Sequence, residues 1–336
     1  MKKIFFVILA AIVLTGCGNN SELKGSGDKK QTSQYSSKDT SKSNAPSKIG
    51  KFKMTFARDN GVNFINSDLT GEKYLYSGND NMISPDGSEV VYTQSGQDGS
   101  RVIAIYNIGS GTSKVLNSID GKNSFDACFS PDGKMLVFCN FSGKKWNIGT
   151  VNTDDTGFKI LSSSYGTDLF CPTFAPDGKS IICNGMNEFV EFDLDGKILQ
   201  KISVQEQFNA KNIYLSSANR VFFINNKKEL LFDADTEVFF ETAREPISNI
   251  FVYNIESKSI RNISGDKISC YDPFVLSDGK NILFSAFTKE DLSKSTDPRD
   301  MEPVILSWVY TMGIDGKGKT KLIRNAYEPS ASNVIQ

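Results

Sequence analysis

Four acidic residues share one position relative to a repeated turn, and such a set could bind a cation. Each lies four residues before the turn or its counterpart, and they are Asp80, Asp126, Asp272 and Glu328. Cys171 and Asn212 take the same place before two further copies. Carboxylate oxygens suit Ca²⁺, so these side chains, if brought together, would form a ring for a hard cation or another ligand. The alternative is structural, since a carboxylate at a strand start also accepts backbone hydrogen bonds.

The turn that defines this position is clearest at residues 130–133, which read Ser-Pro-Asp-Gly. Proline presets φ at the first corner, and glycine closes the turn without a Cβ clash. An apolar run from Met135 to Cys139 follows, which is typical of a strand covered on both faces. The turn recurs at residues 84–87, 175–178 and 276–279, and we place a fifth, degenerate copy at residues 216–219.

The spacing of the copies indicates the architecture. Asp132 lies 46 residues after Asp86, and Asp177 lies 45 residues after Asp132, which is the length of one propeller blade. Each interval also holds a second pair of strands joined by a turn rich in Asn, Asp and Gly. Six such hairpins occur along the chain, so we predict an all-β, six-bladed β-propeller.

The Ser-Pro-Asp-Gly-Lys turn, the apolar strand after it and the Asp-x-x-Gly hairpin resemble the WD-repeat-like units of TolB-type β-propellers. The resemblance covers roughly residues 52–336. It implies a fold rather than an activity, because propellers carry many unrelated functions.

The N-terminus has the pattern of a secretion signal. Lys2 and Lys3 precede an apolar run from Ile4 to Leu14, which is short for a membrane span. The run ends in Leu-Thr-Gly-Cys, which resembles a bacterial lipoprotein box. That resemblance implies cleavage after residue 16, lipidation of Cys17, and anchoring at the extracytoplasmic face of the cell membrane. An ordinary secreted protein with a chance cysteine is the alternative.

Three segments follow from these patterns: a signal peptide over residues 1–16, a lipidated cysteine with a flexible polar tether over 17–50, and the propeller over 51–336. The tether is too poor in apolar residues to fold alone. At the other end, residues 327–332 repeat the beginning of a blade, whereas the first blade lacks its inner strand. We therefore expect the C-terminal strand to pair into blade one and close the ring.

Composition excludes several function classes. The chain contains no histidine, which excludes a Ser-His-Asp triad, a Cys-His pair and imidazole metal ligands. A net charge of −1 gives no electrostatic reason to expect nucleic acid. Of the cysteines after Cys17, Cys171 and Cys183 lie opposite each other on predicted adjacent strands, so a disulfide is conceivable. The other interpretation is that these cysteines are buried apolar fillers; they are Cys128, Cys139, Cys171, Cys183 and Cys270.

Two long insertions are predicted in neighbouring blades, over about residues 225–246 and 288–303, both between the second and third strands. Loops on a rigid scaffold often carry binding, so we expect a partner surface where the two meet. The side chains chosen for it are Asp235, Phe239, Phe240, Arg244, Asp291, Asp297 and Arg299. Solvated loops without a partner are the alternative.

The sequence thus predicts a non-catalytic, monomeric, membrane-anchored propeller that binds an envelope protein, peptide or glycan. No cofactor is expected apart from Ca²⁺ in the ring. A carboxylate-based hydrolase or lyase acting in the channel is the alternative function, since it needs no imidazole. A purely structural spacer is a third.

Overall fold

The computed structural model of the chain describes residues 49–59, 61–121, 123–241, 246–293 and 306–335. Residues 1–48 lie outside this set, so the signal peptide, Cys17 and the tether stay predictions. Among the described residues, no helix is both long enough and apolar enough to cross a membrane.

The described strands form six antiparallel sheets of four strands each, which are the blades of a propeller. Blade one contains β1 (Lys53–Arg58), β2 (Gly61–Asn66), β3 (Lys73–Ser77) and the C-terminal β24 (Tyr327–Ala331). Blade two contains β4 (Asn79–Ile83), β5 (Glu89–Ser95), β6 (Arg101–Asn107) and β7 (Thr112–Val115). Blade three contains β8 (Ser124–Phe129), β9 (Met135–Phe141), β10 (Trp146–Asn152) and β11 (Lys159–Ile160).

The remaining blades follow in chain order. Blade four contains β12 (Phe170–Phe174), β13 (Ser180–Asn184), β14 (Glu188–Asp193) and β15 (Ile198–Ser203). Blade five contains β16 (Val221–Ile224), β17 (Glu229–Asp235), β18 (Ser248–Asn254) and β19 (Ile260–Asn262). Blade six contains β20 (Ile268–Val275), β21 (Asn281–Thr288), β22 (Trp308–Gly313) and β23 (Thr320–Arg324). Two short helices, α1 (Gln205–Asn209) and α2 (Lys289–Ser293), lie in connections. The predicted six-bladed β-propeller is confirmed.

In blades two, three, four and six, the first strand lies innermost and ends in the predicted turn. In blade three, the Gly133 amide donates to the Ser130 carbonyl at 2.8 Å. The Asp132 carboxylate accepts hydrogen bonds from the Ser130 hydroxyl at 2.6 Å and from the Lys134 amide at 3.1 Å. The Ser130 hydroxyl, followed by the Lys134 amide, lowers the pKa of Asp132. The turn therefore satisfies its own polar groups and reverses the chain.

Apolar side chains fill the spaces between neighbouring blades. Between blades four and five, Phe189 and Phe232 pack with ring centroids 5.3 Å apart, and Phe208 of α1 stacks on Phe232 at the same distance. Similar clusters occur at the other junctions around the disc. Large aromatic side chains supply the bulk that holds wedge-shaped blades together.

The last strand closes the ring. β24 pairs antiparallel with β1, with Met54 opposite Ala331 and Thr55 opposite Ser330. The hydroxyls of Thr55 and Ser330 lie 2.6 Å apart in this pairing. The predicted closure by the C-terminal strand is confirmed, and it covers the edge of β1 that would otherwise be open.

Blade five differs from the sequence prediction. Its inner strand is β16, and the turn after it is residues 225–228, where Ile224 lies opposite Glu229. The prediction of a turn copy at residues 216–219 is therefore wrong, because those residues belong to the connection that precedes β16. Asn225, Asn226 and Lys227 take φ values of 50°, 54° and 63°, so a run of left-handed residues replaces the proline turn. The insertion correspondingly shrinks to residues 236–247.

Candidate functional site

A cavity of about 140 Å³ lies at the end of the channel where the innermost strands begin. All four acidic residues singled out from the repeat line it, and so does Cys171. The complete lining is Asp80, Asn81, Phe125, Asp126, Cys171, Ala218, Arg220, Asp272, Pro273, Glu328 and Pro329. The structure thus brings the predicted ring of carboxylates together; we call this space the ring cavity.

Arg220 occupies the ring position of blade five. It lies four residues before Ile224, whose pairing with Glu229 matches that of Ser84 with Glu89 in blade two. Asn212, which the sequence analysis placed here, is exposed and does not line the ring cavity. That assignment is therefore wrong, and it followed from the misplaced turn.

The backbone is left-handed at five of the six ring positions. The φ values are 53° at Asp80, 58° at Asp126, 47° at Cys171, 50° at Asp272 and 49° at Glu328. Each of these residues lies at a register shift in the pairing of its strand. Aspartate tolerates this conformation better than most residues, whereas glutamate and cysteine do not. The left-handed backbone at these register shifts thus helps to explain why aspartate occupies three of the positions, but it gives no reason for Glu328.

One ion pair spans the ring cavity. The Arg220 guanidinium donates from Nη2 to Asp126 Oδ1, and both side chains are largely buried. Burial lowers the pKa of Arg220, whereas the negative charges of Asp80 and Asp272 act to raise it. A single cation is therefore surrounded by more carboxylates than it can neutralise.

Two ring carboxyl groups, those of Asp272 and Glu328, bind protons more tightly than usual. Burial, followed by the charges of Asp272 and Asp80, raises the pKa of Glu328 to about 8. Burial also raises the pKa of Asp272. Behind the ring cavity, burial raises the pKa of Asp233 well above its usual range, although that side chain accepts a hydrogen bond from Asn219 at 2.9 Å. Removal from water disfavours the charged form of each group.

Several polar atoms around the ring cavity are buried and have no hydrogen-bond partner among the described residues. They are Asn81 Oδ1, Asp126 Oδ2, Arg220 Nε, Asp233 Oδ1 and Glu328 Oε2. A buried polar group without a partner costs about 1–3 kcal/mol. A native protein tolerates such a group where a function, a water or an ion accounts for it.

Two observations argue against a metal ion in the ring cavity. Within the described part of the chain, no three Asp, Glu or Cys side chains are grouped as a metal site requires. Arg220 also brings a fixed positive charge to the ring, which disfavours a divalent ion nearby. Binding of Ca²⁺ to the ring therefore stays a prediction.

A second surface lies on the same face of the disc. β17 runs antiparallel to β16, so it ends at Asp235 on the face where β16 begins. Beyond it, Phe239 is 54% exposed and Val238 is 43% exposed. Tyr214, also exposed, donates from its hydroxyl to Glu237 at 2.7 Å. We call Tyr214, Glu237, Val238 and Phe239 the rim patch.

The insertions of blades five and six meet beside the rim patch. Lys289 Nζ donates to Glu241 Oε2 at 2.6 Å. The aromatic rings of Phe240 and Phe287 pack edge to face, with their centroids 6.0 Å apart. Phe240 is buried in this contact.

Asp291 is also buried, and it accepts hydrogen bonds from the Thr288 amide at 3.0 Å and from Trp308 Nε1 at 3.2 Å. The expectation that Phe240 and Asp291 face a partner is therefore wrong, since both hold the insertions in place. Asp235 sits at the end of β17, where its backbone pairs with Tyr214. Arg244, Asp297 and Arg299 lie outside the described residues.

The five cysteines of the described region are free and buried. Burial raises the pKa of Cys128 to about 12, and it raises that of Cys171 well above the usual value. Thiols held in this state are poor nucleophiles, because the thiolate is the reactive form. The structure agrees with the interpretation of these cysteines as buried fillers.

The other end of the channel opens into a larger cavity of about 920 Å³. Its walls include Phe129, Phe174, Phe222 and Phe274 together with the turns that follow the inner strands. We call this space the turn cavity. Phe222 and Phe274 contact each other edge to face with their centroids 6.1 Å apart.

Comparison with known proteins supports the fold and the N-terminal signal. Residues 1–17 match the prokaryotic membrane lipoprotein lipid attachment site. TolB from Acinetobacter baumannii aligns with a TM-score of 0.57 at 14% identity, over 84% of this chain and 67% of that one. Putative TolB from Agrobacterium tumefaciens gives 0.55 at 12% identity, over 86% and 99%. A chain of the nidogen/laminin complex gives 0.55 at 12% identity, over 84% and 98%.

A search of curated proteins found no match. Identities this low show a shared fold and carry no activity with them. The chain is thus similar to TolB in having a six-bladed β-propeller, and it bears a prokaryotic lipoprotein attachment site at its N-terminus.

Proposed function

We propose that this chain is a monomeric lipoprotein, anchored at the extracytoplasmic face of the cell membrane, whose propeller binds an envelope protein, peptide or glycan. The attachment site at residues 1–17 supports the anchor. The closed disc supports a binding role, since it presents its strand-start face as a rigid surface.

The rim patch carries this proposal. Three apolar side chains, Tyr214, Val238 and Phe239, are exposed together on the face that also opens the ring cavity. An exposed apolar cluster bordered by charges marks an interaction site on a soluble domain. Because Glu237 borders the cluster, a partner with basic or hydrogen-bond-donating groups around an apolar centre fits best.

Site-specific photocrosslinking in cells that produce the lipoprotein tests the proposal. A photoreactive phenylalanine analogue replaces Phe239 in one variant and Leu199 in the control. Leu199 lies on the outermost strand of blade four and is 48% exposed, which matches the exposure of Phe239.

We expect one recurrent crosslinked partner from position 239 and none from position 199. Adding Val238→Ser should weaken capture of that partner, since truncating a buried interface side chain costs about 1 kcal/mol or more. Equal crosslinking from both positions would contradict a binding role for this face.

A carboxylate-based hydrolase or lyase remains the second candidate, and one observation favours it. Burial raises the pKa of Glu328 to about 8, which favours its protonated form at neutral pH, and the same cavity holds the ion-paired Asp126. A protonated acid and an ionised carboxylate are the minimum for such chemistry. The ring cavity of about 140 Å³ nevertheless admits only a group of roughly one six-membered ring. Turnover of envelope glycan fragments by the wild type, abolished in Glu328→Gln, would establish this alternative.

A further inference from the structure

We infer that the ring cavity binds a primary alkylammonium group, the chemistry shared by a lysine side chain and a small aliphatic amine. This inference deepens the proposed function by naming what the strand-start face recognises. It can be tested by direct binding, without knowledge of the macromolecular partner.

Three unpartnered oxygens point to a donor-rich ligand. Asn81 Oδ1, Asp126 Oδ2 and Glu328 Oε2 are buried acceptors without a hydrogen bond, on side chains that line the ring cavity. Asn81 is 4% exposed and Asp126 is 7% exposed, so water reaches neither side chain freely. A primary ammonium carries three N–H donors and no acceptor. Its donors therefore match the kind of group that these open acceptors lack.

Acidic side chains outnumber basic ones in the ring cavity, which favours a cation as well. The carboxyl groups of Asp80, Asp272 and Glu328 join that of Asp126, while Arg220 is the one basic residue in the lining. Arg220 is already bound to Asp126 Oδ1. A second cation would lower the pKa values of Asp272 and Glu328 and convert an electrostatic cost into charge-assisted hydrogen bonds.

The apolar part of the lining selects an organic cation over a metal ion. Phe125, Pro273 and Pro329 lie beside the polar groups and can cover an alkyl chain. The volume of about 140 Å³ is close to that of a cavity that holds benzene, which suits a four-carbon chain with its ammonium head. In the described residues, no trio of acidic or thiol side chains is grouped for a metal.

Isothermal titration calorimetry on the lipoprotein in detergent tests the inference with four probes. They are n-butylamine, acetyl-Gly-Lys-Gly-amide, the same peptide with norleucine in place of lysine, and CaCl₂. We expect saturable binding of the lysine peptide or the amine and none of the norleucine peptide, which keeps the four-carbon chain and lacks the ammonium group. Binding of both n-butylamine and the lysine peptide would assign the site to any alkylammonium group. Binding of n-butylamine alone would assign it to free amines, and binding of the lysine peptide alone would assign it to polypeptides.

Variants connect the binding to the named atoms. Glu328→Gln keeps the side-chain size and removes the carboxyl group that could ionise against a bound ammonium, and it should weaken binding about tenfold. Asn81→Asp adds a carboxylate and should strengthen binding. Asp132→Asn, in a turn at the opposite end of the channel, is the control and should leave affinity unchanged. Circular dichroism verifies that each variant is folded.

Three results would overturn the inference: no heat from either amine probe, binding of CaCl₂ alone, or equal affinity in Glu328→Gln and the wild type. If the amines fail to bind while position 239 still captures a partner, the alkylammonium site is wrong and the binding module stands. The reverse outcome would keep the site and reject the rim patch.

Discussion

The two ends of the channel are built from the same strands but treat their charged residues in opposite ways. At the turn end, Asp132 is hydrogen-bonded by Ser130 and Lys134, and its pKa is lowered. At the ring end, Glu328 keeps an unpartnered buried oxygen and a raised pKa. The backbone at Glu328 is also left-handed, with φ of 49°.

The two ends therefore hold different kinds of carboxylate: those of the turns stabilise the fold, and those of the ring cavity destabilise it. Local hydrogen bonds make the turn aspartate stabilising, because its charged form is solvated by its own turn. Burial makes the ring carboxylates destabilising, because folding removes them from water. Because the buried ring carboxylates lower the stability of the fold at one end only, that end is the better candidate for a binding role.

The largest effect should follow removal of the closing strand. Truncation after Ala326 deletes β24, which leaves β1 as an open edge and opens the ring. We expect the cooperative thermal transition to disappear from circular dichroism. Truncation after Ile335 retains all of β24 and is the control. A normal transition in the shorter chain would show that the ring end does not depend on closure.

Next in size is the loss of the buried cation. Arg220→Met leaves Asp126 buried without its partner, which should lower the free energy of unfolding by about 3–5 kcal/mol. Denaturant unfolding measures this. Adding Asp126→Asn should recover much of the loss, because the uncompensated charge is then removed. If the double variant were no more stable than Arg220→Met, the pair would not be the reason for the loss.

The response to pH should have opposite signs at the two ends. The folded pKa of Glu328 is about 8 and therefore above its value in the unfolded chain, so the folded state binds more protons between the two. Its contribution to stability is present below the unfolded pKa and is lost as pH rises through about 8, by roughly 1.4 kcal/mol per pH unit. Glu328→Gln should flatten the dependence of melting temperature on pH between about 5 and 8.

Asp132 provides the contrast within the same titration. Its pKa is lowered in the folded state, so its contribution is present above the unfolded value near 4 and is lost as pH falls below it. Asp132→Asn should therefore reduce only the acid side of the profile. A flat profile for the wild type between pH 5 and 8 would contradict the account of the ring cavity.

The smallest effect should come from the turn hydroxyl. Ser130 donates to Asp132 and accepts from the Met135 amide at 2.9 Å. Ser130→Ala should cost about 1 kcal/mol in denaturant unfolding and should leave amine binding unchanged. Ser164→Ala, at an exposed serine outside the repeated Ser-Pro-Asp-Gly turns, should cost less and serves as the control. Weakened amine binding in Ser130→Ala would show that the two ends are coupled.

The sequence was sufficient wherever local chemistry repeats. Proline and glycine restrict the turn at residues 130–133 so strongly that the strands on either side follow from it. The blade count and the closing strand followed from that spacing. The positions of Asp80, Asp126, Asp272 and Glu328 on the ring cavity likewise depended only on register.

Blade five could not be placed in this way. Its turn, Asn-Asn-Lys-Lys at residues 225–228, reverses the chain through left-handed residues and shares no letter with Ser-Pro-Asp-Gly. Arg220 was missed for this reason. A signal was present, because residues 221–224 and 230–232 are apolar runs separated by a polar segment of turn length.

The burial of Phe240 and Asp291 in the insertions could not be predicted from the sequence for a different reason. Phe240 is buried because Phe287 of blade six lies against it, and Asp291 because Trp308 and Thr288 surround it. The contacts with Phe287 and Trp308 join distant segments, and no local pattern encodes them. Adjacent phenylalanines at positions 239 and 240 therefore look alike in the sequence although one is exposed and the other is not.

β24, the strand that closes the ring, also lines the ring cavity through Glu328 and Pro329. The cavity is therefore complete only after this strand has paired with β1. A ligand held between Glu328 and Arg220 would connect blade one to blade five and oppose reopening of the ring. Occupancy would then report that the ring has closed, and it would lower the unfolded fraction that proteases attack.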